Sequence, residues 1–213
     1  MRRAGLAAFV SVLSSVFAAV GFAADPPAAT SLFNGKDLTG WKIADKNHFE
    51  NHGEVKVVDG AISLAKGKSA TGITCAAKLP TMDYEVSLEA RRMAGEDFFC
   101  GLTFPFNDTH LSLIIGGWGG GVTGISNIDG FSAVENSTTG YLEVKDKQWY
   151  RIKLRVTQKL ITAWIDDKEI LKLETEGKKF SIWWEQEPMR PLGIATWNTA
   201  AEVRKLELKK LGK

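Results

Sequence analysis

Residues 151–156 read Arg-Ile-Lys-Leu-Arg-Val, the most regular alternation of polar and apolar side chains in the chain. Successive side chains of a strand point to opposite faces of a sheet, so Ile152, Leu154 and Val156 face a core while the cations face water. The following segment, 160–165, is also apolar and β-branched. The pattern predicts neighbouring antiparallel strands with one buried face.

Other strand-like segments lie on both sides of this hairpin, separated by Gly, Asn and Asp, and no segment shows an apolar stripe at helical spacing. They are residues 54–58, 61–64, 84–90, 98–106, 111–115, 169–173 and 203–208. Asp59-Gly60 joins the first two with the residue pair of a tight two-residue turn. We expect 98–106 to pair with 84–90. About ten strands in one unit predict an all-β fold, a two-sheet antiparallel β-sandwich.

The first 24 residues predict a secretory signal peptide. Arg2 and Arg3 precede an apolar segment, 6–20, and small residues follow it, with cleavage expected after Ala23 or Ala24. The apolar segment is shorter than the roughly 20 residues of a membrane-spanning helix, although an uncleaved anchor is the alternative. We therefore expect a periplasmic or secreted protein with no membrane contact in its mature form.

The rest of the chain predicts a short linker, 25–30, and a single sandwich domain, 31–211. The chain carries 27 Lys and Arg against 25 Asp and Glu, and removal of Arg2 and Arg3 with the signal makes the two counts equal. A neutral mature chain argues against nucleic acid or an anionic membrane as a partner. The sequence carries no signal for an oligomeric state.

Two cysteines, Cys75 and Cys100, would sit in a compartment that permits disulfides. A Cys75–Cys100 bridge and two buried thiols are equally compatible with the sequence. Neither cysteine has a second Cys or a His at metal-ligand spacing, so no metal site is predicted.

A glycine-rich segment, 116–121, surrounds Trp118 and predicts a loop or a sharply bent strand end. An indole with few neighbouring side chains can offer its face to a sugar ring, and core packing is the alternative. Adjacent Trp183 and Trp184 cannot both face a strand's core, so one of them should be exposed. We take these three tryptophans as candidate substrate-binding residues.

Polar residues that suit sugar hydroxyls follow the glycine-rich segment. Asn127, Asn136 and Thr138 are candidate substrate-binding residues, and Asp129 and Glu135 are the candidate catalytic acid and base. An ordinary surface loop rich in turn-forming residues is the alternative. Loop carboxylates could also hold calcium near Asp129, but no cofactor is assigned.

Six further titratable residues could take part in acid and base chemistry. They are Asp97, Glu185, Glu187, His48, His52 and His110. Glu185 and Glu187 would share one face if they lay in a strand. No helix aligns His48 with His52, and both are predicted to be solvated.

Four motifs along the chain resemble the 3-keto-disaccharide hydrolase domain family. They are the opening segment 31–41, which contains Leu-Phe-Asn-Gly and Gly-Trp, then Val58-Asp59-Gly60, Asp83-Tyr84-Glu85-Val86 and Trp149-Tyr150. The resemblance covers nearly the whole mature chain. It implies a concanavalin-like jelly roll and cleavage of sugars oxidised at carbon 3, with the sugar on the concave face of one sheet.

The sequence departs from the better-known members of that family at two places. Their Asn-Ser-Gly corresponds here to Phe99-Cys100-Gly101, and their Glu-x-Gln strand to Leu111-Ser112-Leu113. The chain is instead similar to a branch with Gly-Gly-Trp-Gly-Gly-Gly-Val at 116–122. We expect a glycan-active hydrolase; a non-catalytic carbohydrate-binding module on the same fold is the alternative, and a structural partner domain is a third possibility.

Overall fold

The computed structural model of the chain describes residues 28–212 together with Met1. The predicted signal peptide and cleavage sites lie outside the described residues. Within the described part of the chain, no helix is both long and apolar enough to cross a bilayer.

Two antiparallel sheets make up the domain, which confirms the predicted β-sandwich. The eight-stranded back sheet contains β1 Thr30–Ser31, β3 Val55–Val58, β4 Ala61–Leu64, β6 Tyr84–Gly95, β11 Tyr150–Val156, β12 Leu160–Ile165, β13 Lys168–Glu174 and β15 Thr199–Lys210. The seven-stranded front sheet contains β2 Trp41–Ile43, β5 Ala70–Cys75, β7 Cys100–Phe106, β8 Thr109–Gly117, β9 Val122–Ser126, β10 Gly140–Tyr141 and β14 Gly193–Trp197. Two 3-10 helices, η1 Asn47–Phe49 and η2 Trp184–Met189, complete the described elements.

The alternating segment forms β11 near the centre of the back sheet. Its strand order is β13-β12-β11-β6-β15-β4-β3, with β1 also paired to β15. Leu154 lies opposite Val86 on one side and Ala163 on the other, and all three are at most 1% exposed. The apolar face of β11 thus packs into the core between the sheets, as the period-two pattern predicts.

The front sheet has the order β10-β9-β8-β7-β14-β5-β2. The predicted pairing of 84–90 with 98–106 is wrong, because β6 belongs to the back sheet and β7 to the front sheet. The connection after Gly95, whose φ is 119°, carries the chain from one sheet to the other. Apolar residues mark both segments as strands, but neither pattern says which sheet the strand joins.

A second apolar cluster covers the outer face of the front sheet. It contains Ala44, Phe49, Ala70, Phe98, Ile114, Ala133, Met189 and Ala195. A Cβ on Gly72 would lie 2.8 Å from both the Met189 methyl carbon and the Phe49 ring, and one on Gly193 would lie 2.5 Å from the Met189 carbonyl oxygen. Glycine at these two positions therefore lets η1 and η2 lie directly on the sheet.

Three local features complete the description of the sandwich. Strand β8 ends at Gly117 and the chain turns over 118–121, so the glycine-rich segment is a bent strand end followed by a turn. Tyr84 is fully buried and its hydroxyl donates to the Pro105 carbonyl, which ties the two sheets together. Cys75 and Cys100 are two buried free thiols and do not form the alternative disulfide bridge.

Candidate functional site

A cleft of about 210 Å³ opens on the outer face of the front sheet, beside η2. We call it the aromatic cleft. Its lining residues are Asp97, Phe98, Ile114, Trp118, Ser126, Trp183, Glu185, Gln186 and Trp197. Its volume lies below the roughly 300–1,000 Å³ of pockets for drug-sized ligands, so it suits one sugar ring better than an extended ligand.

Tryptophans from three separate segments form the walls of the aromatic cleft. Trp118 comes from the turn after β8 and is 45% exposed, with a φ of 45°. Trp183 directly precedes η2, and Trp197 ends β14 with its ring centroid 6.4 Å from that of Phe98. Flat apolar faces around a small volume are suited to the C–H faces of a pyranose ring.

The Asp97 carboxyl is held firmly in the wall of the aromatic cleft. Its Oδ1 accepts hydrogen bonds from the backbone N–H of Phe98 at 2.7 Å and of Trp118 at 3.2 Å. The Thr199 hydroxyl accepts from the Asp97 N–H and donates to its carbonyl. Burial raises the pKa of the carboxyl, because the loss of hydration outweighs both N–H bonds. A carboxyl that keeps its proton to higher pH is suited to general-acid chemistry.

Glu185 supplies the second carboxyl group of the aromatic cleft. Its Oε2 accepts a hydrogen bond from the Trp183 indole N–H at 2.8 Å. Its Oε1 lies 3.8 Å from His48 Nε2. The segment is a 3-10 helix and not a strand, so Glu185 and Glu187 do not share a strand face, and Glu187 instead pairs with Arg190.

His48 is packed against aromatic rings and keeps 32% of its side chain exposed, so it is only partly solvated. Its ring centroid lies 5.0 Å from that of Trp184 and 5.2 Å from that of Trp197. Contact between η1 and η2 brings it there, far along the chain from its neighbours. Trp184 is 58% exposed and extends the aromatic surface beyond the cleft.

Two buried amide oxygens near the aromatic cleft lack hydrogen-bond partners among the described residues. They are Gln186 Oε1 and Asn127 Oδ1, in side chains that are 3% and 8% exposed. Gln186 lines the cleft, and Asn127 directly follows the lining residue Ser126. Unpaired buried polar groups are costly to stability, so these two amides are candidates for contact with a ligand.

The two predicted catalytic carboxylates lie outside the lining of the aromatic cleft. Asp129 is exposed, accepts from the Lys179 N–H at 2.9 Å and pairs with Lys178 at 3.2 Å; the Lys179 N–H bond, followed by the Lys178 contact, lowers its pKa. Glu135 is exposed and accepts from the Ser132 hydroxyl at 3.1 Å. These contacts hold loops in place.

The predicted amide and hydroxyl pair Asn136 and Thr138 also serves the loop. Asn136 donates to the carbonyls of Ile125, Phe131 and Ser132, and its Oδ1 accepts from Thr138 N and Oγ1. Of the predicted binding residues, the structure thus brings Trp118 and Trp183 into the aromatic cleft, with Asn127 and Trp184 beside it. Asp97, Glu185 and His48 also belong to the site, although no motif in the sequence distinguishes them from other titratable residues.

A metal site is a separate question, raised by the acidic loop at Asp129. Within residues 28–212, no group of three or more His, Cys, Asp or Glu side chains is arranged to hold an ion. Asp129 instead pairs with the Lys178 ammonium group and accepts a hydrogen bond from the Lys179 N–H.

Solved structures of low sequence identity share this sandwich fold. The Crh5 transglycosylase in complex with NAG matches with a TM-score of 0.59 at 12% identity, over 89% of this chain and 86% of that one. An endo-acting O-glycanase of the human gut microbiota, which initiates mucin breakdown, matches with a TM-score of 0.56 at 13% identity, over 88% of this chain and 100% of that one. A protein assigned as a glycosyl hydrolase from Parabacteroides distasonis ATCC 8503 matches with a TM-score of 0.51 at 14% identity, over 86% of this chain and 94% of that one.

The fold and the aromatic cleft together define a jelly-roll β-sandwich with a ring-sized aromatic cleft on its outer face. No curated protein sequence matches the chain. The model of the 3-keto-alpha-glucoside-1,2-lyase-like domain matches residues 28–209, and the chain belongs to that family. The family resemblance predicted from the sequence motifs is thereby confirmed.

Proposed function

We propose that the chain binds a saccharide in the aromatic cleft and cleaves the glycosidic bond of a sugar that carries a ketone at carbon 3. The observation that carries the proposal is the meeting of Asp97 and Glu185 with three tryptophans in one ring-sized cleft. Membership of the 3-keto-alpha-glucoside-1,2-lyase-like family supports a substrate that carries a ketone at carbon 3. The apolar walls would hold the ring, and the two carboxyl groups would exchange protons with it.

The ketone makes a simple route to bond cleavage available. A carbonyl at carbon 3 acidifies the hydrogen on carbon 2, and the glycosidic oxygen on carbon 1 is the leaving group. A base removes that proton, the electrons form a C1–C2 double bond, and an acid protonates the departing oxygen. Later addition of water to the double bond gives the net product of hydrolysis.

The contacts of the two carboxyl groups suggest their separate roles. The raised pKa of Asp97 favours the proton donor, because the group stays protonated at higher pH than an exposed carboxyl. Glu185 is anchored by the Trp183 indole and faces His48, which makes it the candidate base. The His48 ring, packed against Trp184 and Trp197 with its Nε2 3.8 Å from Glu185 Oε1, would help to orient that base.

The decisive experiment is turnover of 3-keto and unoxidised disaccharides by purified residues 25–213, with released monosaccharide followed by chromatography. D97N and E185Q are expected to lower kcat by about 10²- to 10⁴-fold. D129N and E135Q are the matched amide variants outside the cleft. Loss of turnover in D129N or E135Q, with D97N unaffected, would overturn the cleft assignment in favour of the loop carboxylates.

Non-catalytic carbohydrate binding is the second candidate function, because Trp118 and Trp184 expose 45% and 58% of their surface beside the cleft. Exposed aromatic faces are typical of binding platforms. Saturable binding of a disaccharide that is lost in W118A, without any release of monosaccharide, would assign the chain to this class.

Export is part of the same proposal. The arginine pair and apolar segment in residues 1–24 support delivery to the periplasm or the medium. Mass spectrometry of the protein from the periplasmic fraction should find a mature N-terminus after Ala23 or Ala24. A protein that retains Met1 in the cytoplasm would contradict this.

A further inference from the structure

A second, larger cleft of about 790 Å³ shares Asp97 with the aromatic cleft. We call it the polar cleft. Its lining residues are Lys66, Ala94, Gly95, Glu96, Asp97, Gly119, Asp146 and Asn198. Asp97 lines both clefts, so the candidate proton donor lies at their boundary.

Short segments from three parts of the chain form the wall between the two clefts. In each, one residue lines the aromatic cleft and its chain neighbour lines the polar cleft: Asp97 with Glu96, Trp118 with Gly119, and Trp197 with Asn198. Trp118 and Asn198 have left-handed φ angles of 45° and 46°. Non-glycine residues adopt this region at a cost, and such residues concentrate at functional sites.

The wall is also braced by hydrogen bonds that run between the two clefts. With its amide turned to satisfy both ends, Asn198 accepts from the Trp197 indole N–H at 3.3 Å and donates to the Lys68 carbonyl at 3.2 Å. The Trp118 N–H donates to Asp97 Oδ1. A ligand that crosses the wall would therefore meet a fixed carboxyl group at its midpoint.

The two clefts differ in chemistry. The aromatic cleft offers indole faces, whereas the polar cleft offers an ammonium group, carboxylates and an amide. Asp146 is paired with Arg92 at 2.5 Å, so its charge is already compensated. Donors and acceptors of both signs suit the hydroxyl groups of a neutral sugar, and the opposite charges of Lys66 and Glu96 give the cleft no net charge to attract an ionic ligand.

We propose that Lys66, Glu96 and Asn198 in the polar cleft bind the sugar on the leaving side of the scissile bond. This rests on the proposed function of the aromatic cleft. The oxidised ring occupies the aromatic cleft, the glycosidic oxygen lies over Asp97, and the second ring or a longer chain extends into the polar cleft. The larger volume of the polar cleft accommodates more than one ring.

The test compares a substrate that fills both clefts with one that fills a single cleft. Lys66 and Glu96 are exposed, and neither side chain makes a hydrogen bond or ion pair within residues 28–212. The K66A/E96A double variant is expected to lower kcat/KM for a 3-keto glucose disaccharide by roughly 3- to 10-fold for each lost hydrogen bond. Methyl 3-keto-glucoside, which has no second ring, should keep its kcat/KM. K172A, at an exposed position on β13, is the control.

A binding measurement keeps this test separate from the chemistry. Wild-type protein should bind an unoxidised glucose disaccharide more tightly than methyl glucoside by calorimetry, and the difference should vanish in K66A/E96A. Equal affinity of the wild type for both ligands, or equal weakening of both by the double variant, would overturn the leaving-side site. Loss of all turnover with the affinity difference intact would instead overturn the proposed reaction.

Discussion

Replacement of Gln186 by methionine should make the protein more stable and a weaker binder of sugar. Gln186 is 3% exposed, lines the aromatic cleft, and its Oε1 has no partner among the described residues. A buried acceptor without a hydrogen bond costs about 1–3 kcal/mol, and a side chain of similar length without polar atoms avoids this cost. The glutamine would then be retained for its ligand, at the expense of the fold.

The size of the effect follows from that cost. A gain of about 1–3 kcal/mol in the free energy of unfolding corresponds to a rise of roughly 2–12 °C in Tm for a domain of this size. Affinity for a disaccharide should fall by roughly 3- to 10-fold, because one hydrogen bond to the sugar is lost. Urea denaturation, scanning calorimetry and titration calorimetry on the same preparations measure the three quantities.

The control is Q148M, since Gln148 is exposed and outside the aromatic cleft; its stability should change by less than about 0.5 kcal/mol. An unchanged or lower unfolding free energy for Q186M would refute the reasoning, because the carbonyl would then be satisfied in the free protein. A stabilised Q186M with full affinity for sugar would refute the link to the ligand.

Three further predictions concern single groups. Because burial raises the pKa of Asp97, the folded state holds a proton that the unfolded state releases, so wild-type stability relative to D97N should fall as the pH rises above about 4; parallel curves from urea titrations would contradict this. Y84F should cost about 1–3 kcal/mol in urea denaturation, because the Pro105 carbonyl loses its donor, and a neutral variant would show that the two sheets do not depend on this bond. Burial raises the pKa of the Cys75 thiol and takes that of Cys100 to about 12, so a disulfide reagent should label neither in native protein and both in urea; rapid native labelling would disprove the burial.

The parts of the fold that sequence could predict are those with one buried face and short turns. The Asp59-Gly60 turn joins Val58 to Ala61 in the expected register, and β11 presents the expected apolar face. The pairing of β6 with β7 failed because β7 is buried on both faces, so its pattern carries no information on its neighbours. Because β7 is buried on both faces, its sequence also did not indicate which face of the front sheet carries the aromatic cleft.

The candidate site could be predicted only where local chemistry was distinctive. Trp118 stood out among glycines, and Trp183 beside a second tryptophan. Asp97, His48 and Trp197 come from segments about 50 to 150 residues apart, and only the sheet order and the contact of η1 with η2 bring them together. The polar residues chosen from the loop after β9 mostly bond the loop itself, which composition alone does not distinguish from ligand contacts.

The glycines beneath η2 have a consequence for how ligand preference can diverge in such a fold. Gly72 and Gly193 do not line the aromatic cleft, yet a methyl group at either would press on Met189 and lift the helix that carries Glu185 and Gln186. A change in the floor of the sheet would thus be read out as a change in cleft width and in the reach of both side chains. Ligand preference would then change through substitutions at positions that do not contact the sugar.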